Sequence, residues 1–185
     1  IVTGGSRGLG LQIASALGEF GASLAIVARK KPDLDAAVEQ LNAAGCAAVG
    51  FVADLGSAEA ASGLTDRVIE RFGRIDILVN NAGTAWGARA EDYPLDGWNK
   101  VIDLNVTGLF LLTQAVARNA FLKQGKGAVI NVASVESMLG HHPDRLGTIA
   151  YNTAKGAVIN MTRALAAEWG PRNIRVNALA PDVIV

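Results

Sequence analysis

Five short runs rich in Val, Ile, Leu and Ala recur along the chain, at 23–28, 47–53, 75–80, 128–133 and 174–180. They are continuous rather than alternating, the pattern of strands covered on both faces in a parallel sheet. Between them lie stretches of helical character at 10–20, 33–44, 57–72, 95–104, 106–123 and 150–169. Alternating strand and helix produces right-handed crossovers, so the expected class is α/β: a doubly wound parallel sheet in three layers, α/β/α. Pro32 and Ser57 supply helix starts, while Gly21, Gly45, Gly73 and Gly170 sit where helices should stop. The chain has 185 residues, half of them apolar, so residues 1–185 are expected to bury the core of one domain. It begins inside its first strand, at Ile1 and Val2, and stops at Ile184 and Val185 as if entering another element, so that domain is expected to be incomplete at both ends.

Charge narrows the partners. Lys and Arg number 17, as do Asp and Glu, and a net charge of zero gives no general pull toward nucleic acid or an anionic membrane. A small-molecule partner or a local anion site fits better. The lone Cys46 cannot make an internal disulfide, and the sequence reads as free of a signal peptide or an apolar run near membrane-spanning length, which together point to the cytoplasm.

In a doubly wound sheet, ligands bind beyond the carboxyl ends of the strands where strand order reverses. The suggestive residues follow strands: Gly4 to Gly10 the first, Arg29 and Lys30 the second, Asp54 the third, Asn81 to Gly83 the fourth, Ser134 the fifth. Thr3-Gly4-Gly5-Ser6-Arg7-Gly8-Leu9-Gly10 must turn a strand into a helix. Glycine there lets a ligand approach the main chain, and the free amides of the helix's first turn face an anion. The alternative is a tight turn with no ligand. After the second strand, where a cofactor without the extra phosphate would meet a carboxylate, the chain offers Arg29, Lys30 and Lys31, with Arg7 in the glycine turn as a second guanidinium. A guanidinium matches a phosphate in charge and hydrogen-bonding geometry, so NADP(H) is favoured over NAD(H), unless these cations are only solvated surface groups. Asp54 is open to two readings, an acceptor for an adenine amino group or a turn and cap residue.

Tyr151 and Lys155 are four apart, on one face of the last helix. An ammonium beside a phenol favours phenolate and should lower the tyrosine pKa from its usual value near 10. Such a tyrosine exchanges a proton with a carbonyl oxygen as hydride arrives, or with an alcohol in reverse. Ser134, whose hydroxyl both donates and accepts, could hold the same oxygen.

With these residues in order, the chain resembles the short-chain dehydrogenases/reductases over residues 1–181. Thr3-Gly4-x-x-x-Gly8-x-Gly10 is similar to that family's cofactor turn, and Asn80-Asn81-Ala82-Gly83 to its motif after the fourth strand. Asn105 is similar to its helix asparagine, Ser134 and Tyr151-x-x-x-Lys155 to its catalytic set, and Arg175-Val176-Asn177 to the strand before its Pro-Gly. The resemblance implies a nucleotide-binding Rossmann fold and an oxidoreductase interconverting a ketone and a secondary alcohol. Tyr151 would be the acid/base, Ser134 would orient the carbonyl, and Lys155 would bind the nicotinamide ribose and lower the tyrosine pKa. Asn105 would hold a water linking Lys155 to solvent. The implied cofactor set is Gly4, Ser6, Arg7, Gly8, Leu9, Gly10, Arg29, Asp54, Leu55, Asn81, Ala82, Gly83, Tyr151, Lys155 and Pro181, with no metal. Within the family the pattern is like 3-oxoacyl reductases and gluconate 5-dehydrogenases, which points to 3-oxoacyl thioesters, sugars or polyols. It also implies a homodimer through the helices at 106–123 and 150–169, or a tetramer. The family's substrate-covering lid and last strand would lie beyond Val185.

One departure is Pro181-Asp182 in place of Pro-Gly. If position 182 needs left-handed angles, Asp costs about 1–2 kcal/mol there, which favours a rival reading as an impaired nucleotide-binding scaffold. A methyltransferase of related topology would explain neither Arg29 nor the Ser134, Tyr151 and Lys155 set. Residues 136–148, with His141, His142, Pro143, Asp144 and Arg145, read as a solvated loop or as the border of the substrate mouth.

Overall fold

The computed structural model describes residues 1–140 and 147–182. Six strands, β1 (Val2–Thr3), β2 (Ser23–Ala28), β3 (Ala47–Val52), β4 (Ile77–Asn80), β5 (Gly127–Val132) and β6 (Ile174–Leu179), form one sheet in the order β3-β2-β1-β4-β5-β6. Every pairing is parallel. The chain winds outward from β1 to β3, then returns to place β4 on the other side of β1. That reversal opens a crevice at the carboxyl ends of β1 and β4.

The helices are α1 (Gly8–Glu19), α2 (Lys31–Ala43), α3 (Ala58–Phe72), α4 (Leu95–Gln124) and α5 (Ile149–Trp169). Alternate strand residues serve the two faces. Ala25, Val27, Leu78, Val129 and Val176 pack with Leu64 and Val68 of α3, Leu112, Val116 and Phe121 of α4, and Leu165 and Trp169 of α5. Leu24, Ile26 and Val79 face the other way, against Ala14 of α1 and Leu34 and Leu41 of α2. Each fully buried Leu, Ile or Phe contributes about 1.5–3 kcal/mol of transfer free energy, so this two-sided burial is the main stabilising term. Ser57 starts α3 as expected, its Oγ accepting from the Ala60 amide at 3.1 Å.

Three expectations need correction. The stretches 95–104 and 106–123 are one helix, α4, because no proline or turn signal interrupts it; π-helical turns at Asp103–Gly108 and Ala117–Phe121 absorb the irregularity instead. By length and composition this helix could cross a membrane, contrary to the expectation that no such apolar run exists, yet Leu109, Leu112, Val116 and Phe121 are spent in the core. The run 174–180 is not covered on both faces. Ile174 and Val176 are buried while Arg175, Asn177 and Leu179 are exposed, because among the described residues β6 pairs with β5 alone and only one of its faces is packed, by helix α5. Helix α5 stops at Trp169 with Gly170 as its cap, as expected, and the 3₁₀ turn that follows at Gly170–Arg172 closes on Asn173 in the left-handed region, at φ 59°.

Candidate active site

The turn after β1 is built around Thr3 and Asn81. The Thr3 hydroxyl donates to the Val79 carbonyl at 3.2 Å and accepts from the amides of Asn81 and Ala82, both at 3.0 Å. Asn81 Nδ2 donates to the carbonyls of Thr3 at 2.9 Å and Gly4 at 3.2 Å. These bonds lash the glycine turn to the end of β4 and leave no room for bulk. Gly4 sits at φ +62°, and a Cβ on Gly10 would collide with the Gly4 carbonyl oxygen and Asn81 Nδ2. The chain therefore crosses itself where only glycine fits, and α1 starts with its free amides facing the crevice.

A cavity of about 400 Å³ opens there. Gly4, Ser6, Arg7, Gly8, Leu9, Gly10, Arg29, Leu55, Asn81, Ala82 and Gly83 line it, so most of the expected cofactor set is brought together. Val27, Ala28, Lys30, Asp33, Ala53 and Leu104 complete the lining; apart from Lys30, none of these carried a functional signal in sequence. Asp54 borders a smaller neighbouring cavity of about 130 Å³, which Arg29 and Leu104 share. Lys31 is turned aside, its Nζ 2.7 Å from Asp35 Oδ2 on the surface of α2. The volume, the helix N-terminus and the cations Arg7, Arg29 and Lys30 fit the phosphates of a dinucleotide.

Gly83 joins this cavity to a second group of residues. A Cβ there would lie 2.6 Å from Asn105 Oδ1 and 3.8 Å from Lys155 Nζ. Lys155, on α5, is 4% exposed; its Nζ donates to the Val132 carbonyl at 2.6 Å and lies 5.5 Å from the Tyr151 ring centroid. Burial pulls its pKa down to about 8. Ser134 follows β5, and its hydroxyl is close enough to the Tyr151 phenol to favour the phenolate.

The expected lowering of the Tyr151 pKa is not found. Burial raises it, the bond with Ser134 opposes that rise, and the carboxylate of Glu136 adds to it. The reason is geometric: the ammonium is aimed at the Val132 carbonyl, not at the phenol oxygen. Tyr151 thus holds its proton at neutral pH.

Asn105 lies in the first π turn of α4, 1% exposed. Its Nδ2 donates to the carbonyls of Thr84 at 2.7 Å and Val101 at 2.9 Å, and Oδ1 accepts from the Thr84 amide at 3.2 Å. Val101 is the partner an α-helical amide at position 105 would use, so the side chain replaces a main-chain bond. Both amide hydrogens are committed, so a water held here would have to donate to Oδ1 or to the Asn105 main-chain carbonyl. Asn105 also straps the segment after Gly83 to α4.

Pro181 contributes a carbonyl, which accepts from the Val135 amide at 3.1 Å and fixes the end of β6 to the turn after Ser134. Asp182 carries no left-handed strain: among the described residues, the only non-glycine with positive φ is Asn173. The condition for the cost expected at 182 is not met. Asn152 and Glu136, beside Ser134 and Tyr151, carried no functional signal because one asparagine and one glutamate in a polar stretch have no telling spacing. His141, His142, Pro143, Asp144 and Arg145 lie outside the described residues.

Residues 1–185 match the family model described as short chain dehydrogenase. The chain is 38% identical over 187 residues to a D-threitol dehydrogenase of Mycolicibacterium smegmatis, covering 100% of this chain and 69% of that protein. It is 38% identical over 185 residues to a 3-oxoacyl-[acyl-carrier-protein] reductase of Synechocystis sp., covering 100% and 73%. A crystal structure of a gluconate 5-dehydrogenase from Burkholderia cenocepacia, in complex with NADP and tartrate, superposes with a TM-score of 0.89 at 35% identity, over 97% of this chain and 69% of that one. A glycine turn on a helix N-terminus, a tyrosine, lysine and serine gathered beside it, and a family match along the whole chain have one common meaning. The chain belongs to the short-chain dehydrogenase/reductase family, oxidoreductases that bind NAD(P) and act on the CH–OH or keto group of a small molecule.

Proposed function

We propose that this chain interconverts a ketone and a secondary alcohol with NADP(H), Tyr151 moving the proton. The observation that carries the reading is the placement of Ser134 and Tyr151 together beside a buried Lys155, which reaches Gly83 at the border of the cavity. When bound, the nicotinamide dinucleotide supplies or accepts the hydride. Ser134 holds the substrate oxygen, and Tyr151 donates its proton to that oxygen in reduction or takes one in oxidation. Lys155 places a positive charge behind the site, and Asn105 holds the Gly83 to Thr84 segment against it.

Arg7, Arg29 and Lys30 around one cavity support NADP(H) over NAD(H), since three cations there outnumber the one carboxylate, Asp33. Relatives named for threitol, 3-oxoacyl-carrier-protein and gluconate support polyols, 3-oxoacyl thioesters and sugar acids as the substrate classes to try. We read residues 1–185 as one nucleotide-binding domain of the cytoplasm, supported by balanced charge and a single buried thiol, Cys46; recovery of the protein from a membrane or secreted fraction would overturn that placement. Pairing through α4 and α5 is supported by Phe110, 37% exposed on α4. A monomer mass by light scattering would sink it.

The test is Tyr151→Phe. Turnover of NADPH with acetoacetyl-CoA, or of NADP⁺ with D-threitol or D-gluconate, should fall by about 10²–10⁴-fold, with NADPH affinity by calorimetry unchanged. Retained turnover refutes the assignment of Tyr151, and NADH binding more tightly than NADPH refutes the cofactor preference.

A further inference from the structure

Asn152 follows Tyr151 on the first turn of α5, at a position that the Tyr-x-x-x-Lys pattern leaves open. Its side chain reaches back to the turn that carries Ser134. Nδ2 donates to the Glu136 carbonyl at 3.0 Å, to Glu136 Oε2 at 2.8 Å and to the Leu139 carbonyl at 3.0 Å. Oδ1 accepts from the Thr148 hydroxyl at 2.9 Å. Two hydrogens serve three acceptors, so one bond is shared, and the amide is locked from both ends. The turn it grips is itself closed on Ser134: the Glu136 amide donates to Ser134 Oγ at 3.3 Å, and the Ser137 amide and hydroxyl donate to the Ser134 carbonyl at 3.0 and 2.7 Å. A single side chain therefore connects the helix bearing the phenol to the turn bearing the hydroxyl.

We propose that Asn152 is a positioning residue that staples the Ser134 turn to α5, so that the Ser134 hydroxyl and the Tyr151 phenol meet one substrate oxygen. The inference rests on the acid/base reading of Tyr151. Without the staple, Ser134 is held by its short link from β5 and by the bond of the Val135 amide to the Pro181 carbonyl, and the far side of the turn, from Glu136 to Leu139, is free to swing from the phenol. A misplacement of about 1 Å is enough to cost on the order of 10²-fold in rate. Among the described residues, the charged groups facing the phenol are Lys155 from α5 and Glu136 from the stapled turn, while α4 and the segment before it present Val101, Ile102, Val106 and Trp86. The Ser134 bond favours phenolate, so its presence is readable in the titration of Tyr151.

The chain has two tyrosines, so a Tyr93→Phe background leaves Tyr151 as the only one to titrate. Phenolate absorbance after stopped-flow alkaline jumps reads its midpoint before the chain unfolds, and needs no substrate. Ser134→Ala should raise the midpoint when Asn152 is present and leave it unmoved in Asn152→Ala, where the bond is already lost. An equal rise in both backgrounds overturns the staple. Asn152→Asp keeps the shape and loses both donors; should Asn152→Ala fail to fold, the same comparison is made in that variant. With acetoacetyl-CoA and NADPH, Asn152→Ala should lower kcat at least about tenfold while NADPH affinity stays within about twofold. Wild-type kcat in that variant, with Tyr151→Phe inactive, overturns the staple alone; turnover in Tyr151→Phe overturns the acid/base reading and is recognised separately.

Discussion

Lys155 shows how a buried charge weakens the fold around it. Its ammonium is buried with one carbonyl, that of Val132, as its hydrogen-bond partner, and desolvation brings its pKa from 10.5 to about 8. The folded chain therefore holds this proton less tightly than the unfolded chain, and folding carries a penalty that is complete below about pH 8. The penalty is relieved as pH rises from about 8 to 10.5, where the unfolded chain also loses the proton. A shift of this size corresponds to about 3 kcal/mol, part of which the Val132 bond already offsets. Lys155→Met should accordingly stabilise the protein by about 1–3 kcal/mol at pH 7 in urea unfolding, with the gain shrinking by pH 10. Equal stability of the two proteins at pH 7 would mean the ammonium is not desolvated in solution. Gly10 makes the opposite bargain: having no Cβ, it lets the glycine turn and Asn81 close on one another.

At the scale of elements, α4 is placed by what it presses against. A Cβ on Gly108 would collide with the Leu55 carbonyl oxygen, so the helix lies directly on the segment after β3 that lines the nucleotide cavity. The π turn from Asp103 to Gly108 brings Asn105 inward at the same point. None of this is legible in the residues alone. Helical periodicity marks that 95–124 is helical, but a π turn leaves the apolar spacing almost unchanged, so one helix reads as two. The central strands read correctly because burial on both faces produces continuous apolar runs. Strand β6 differs, since Arg175 and Asn177 alternate with Ile174 and Val176, an alternation that marks one uncovered face and that reading the stretch as an apolar run passes over. Glycines and cations that follow strands were legible as a site because topology sends every such position to one rim. The sign of the Tyr151 shift was not, since spacing places Lys155 on the same face without saying where its ammonium points. Thr3 was legible only as a member of the glycine turn and Asn152 not at all, for a related reason: their roles consist of hydrogen bonds to groups distant in sequence, which no spacing pattern records.

Across the whole molecule, one chain of buried polar groups ties the two helices of the site to the sheet. Asn80 and Asn131 are register partners on β4 and β5. Asn80 Nδ2 donates to Thr113 Oγ1 on α4 at 2.8 Å and to Asn131 Oδ1 at 2.9 Å; Asn131 Nδ2 donates to Thr162 Oγ1 on α5 at 2.9 Å. The two hydroxyls pass on to the carbonyls of Leu109 at 2.7 Å and Val158 at 2.8 Å. All four side chains are buried, and among the described residues no buried side-chain N or O lacks a partner. An apolar interface between sheet and helices would tolerate sliding, whereas this chain accepts one register. The middle member should therefore matter most. Asn131→Leu strands an acceptor-seeking amide on Asn80 and removes a donor from Thr162, and should cost about 2–4 kcal/mol in chemical denaturation. Thr162→Val removes only the terminal link and should cost about 1 kcal/mol. Because both changes break the same bond, the double variant should lose less than the sum of the two. Additive losses would mean that the four groups act as separate pairs, and α5 would then owe its alignment to apolar packing alone.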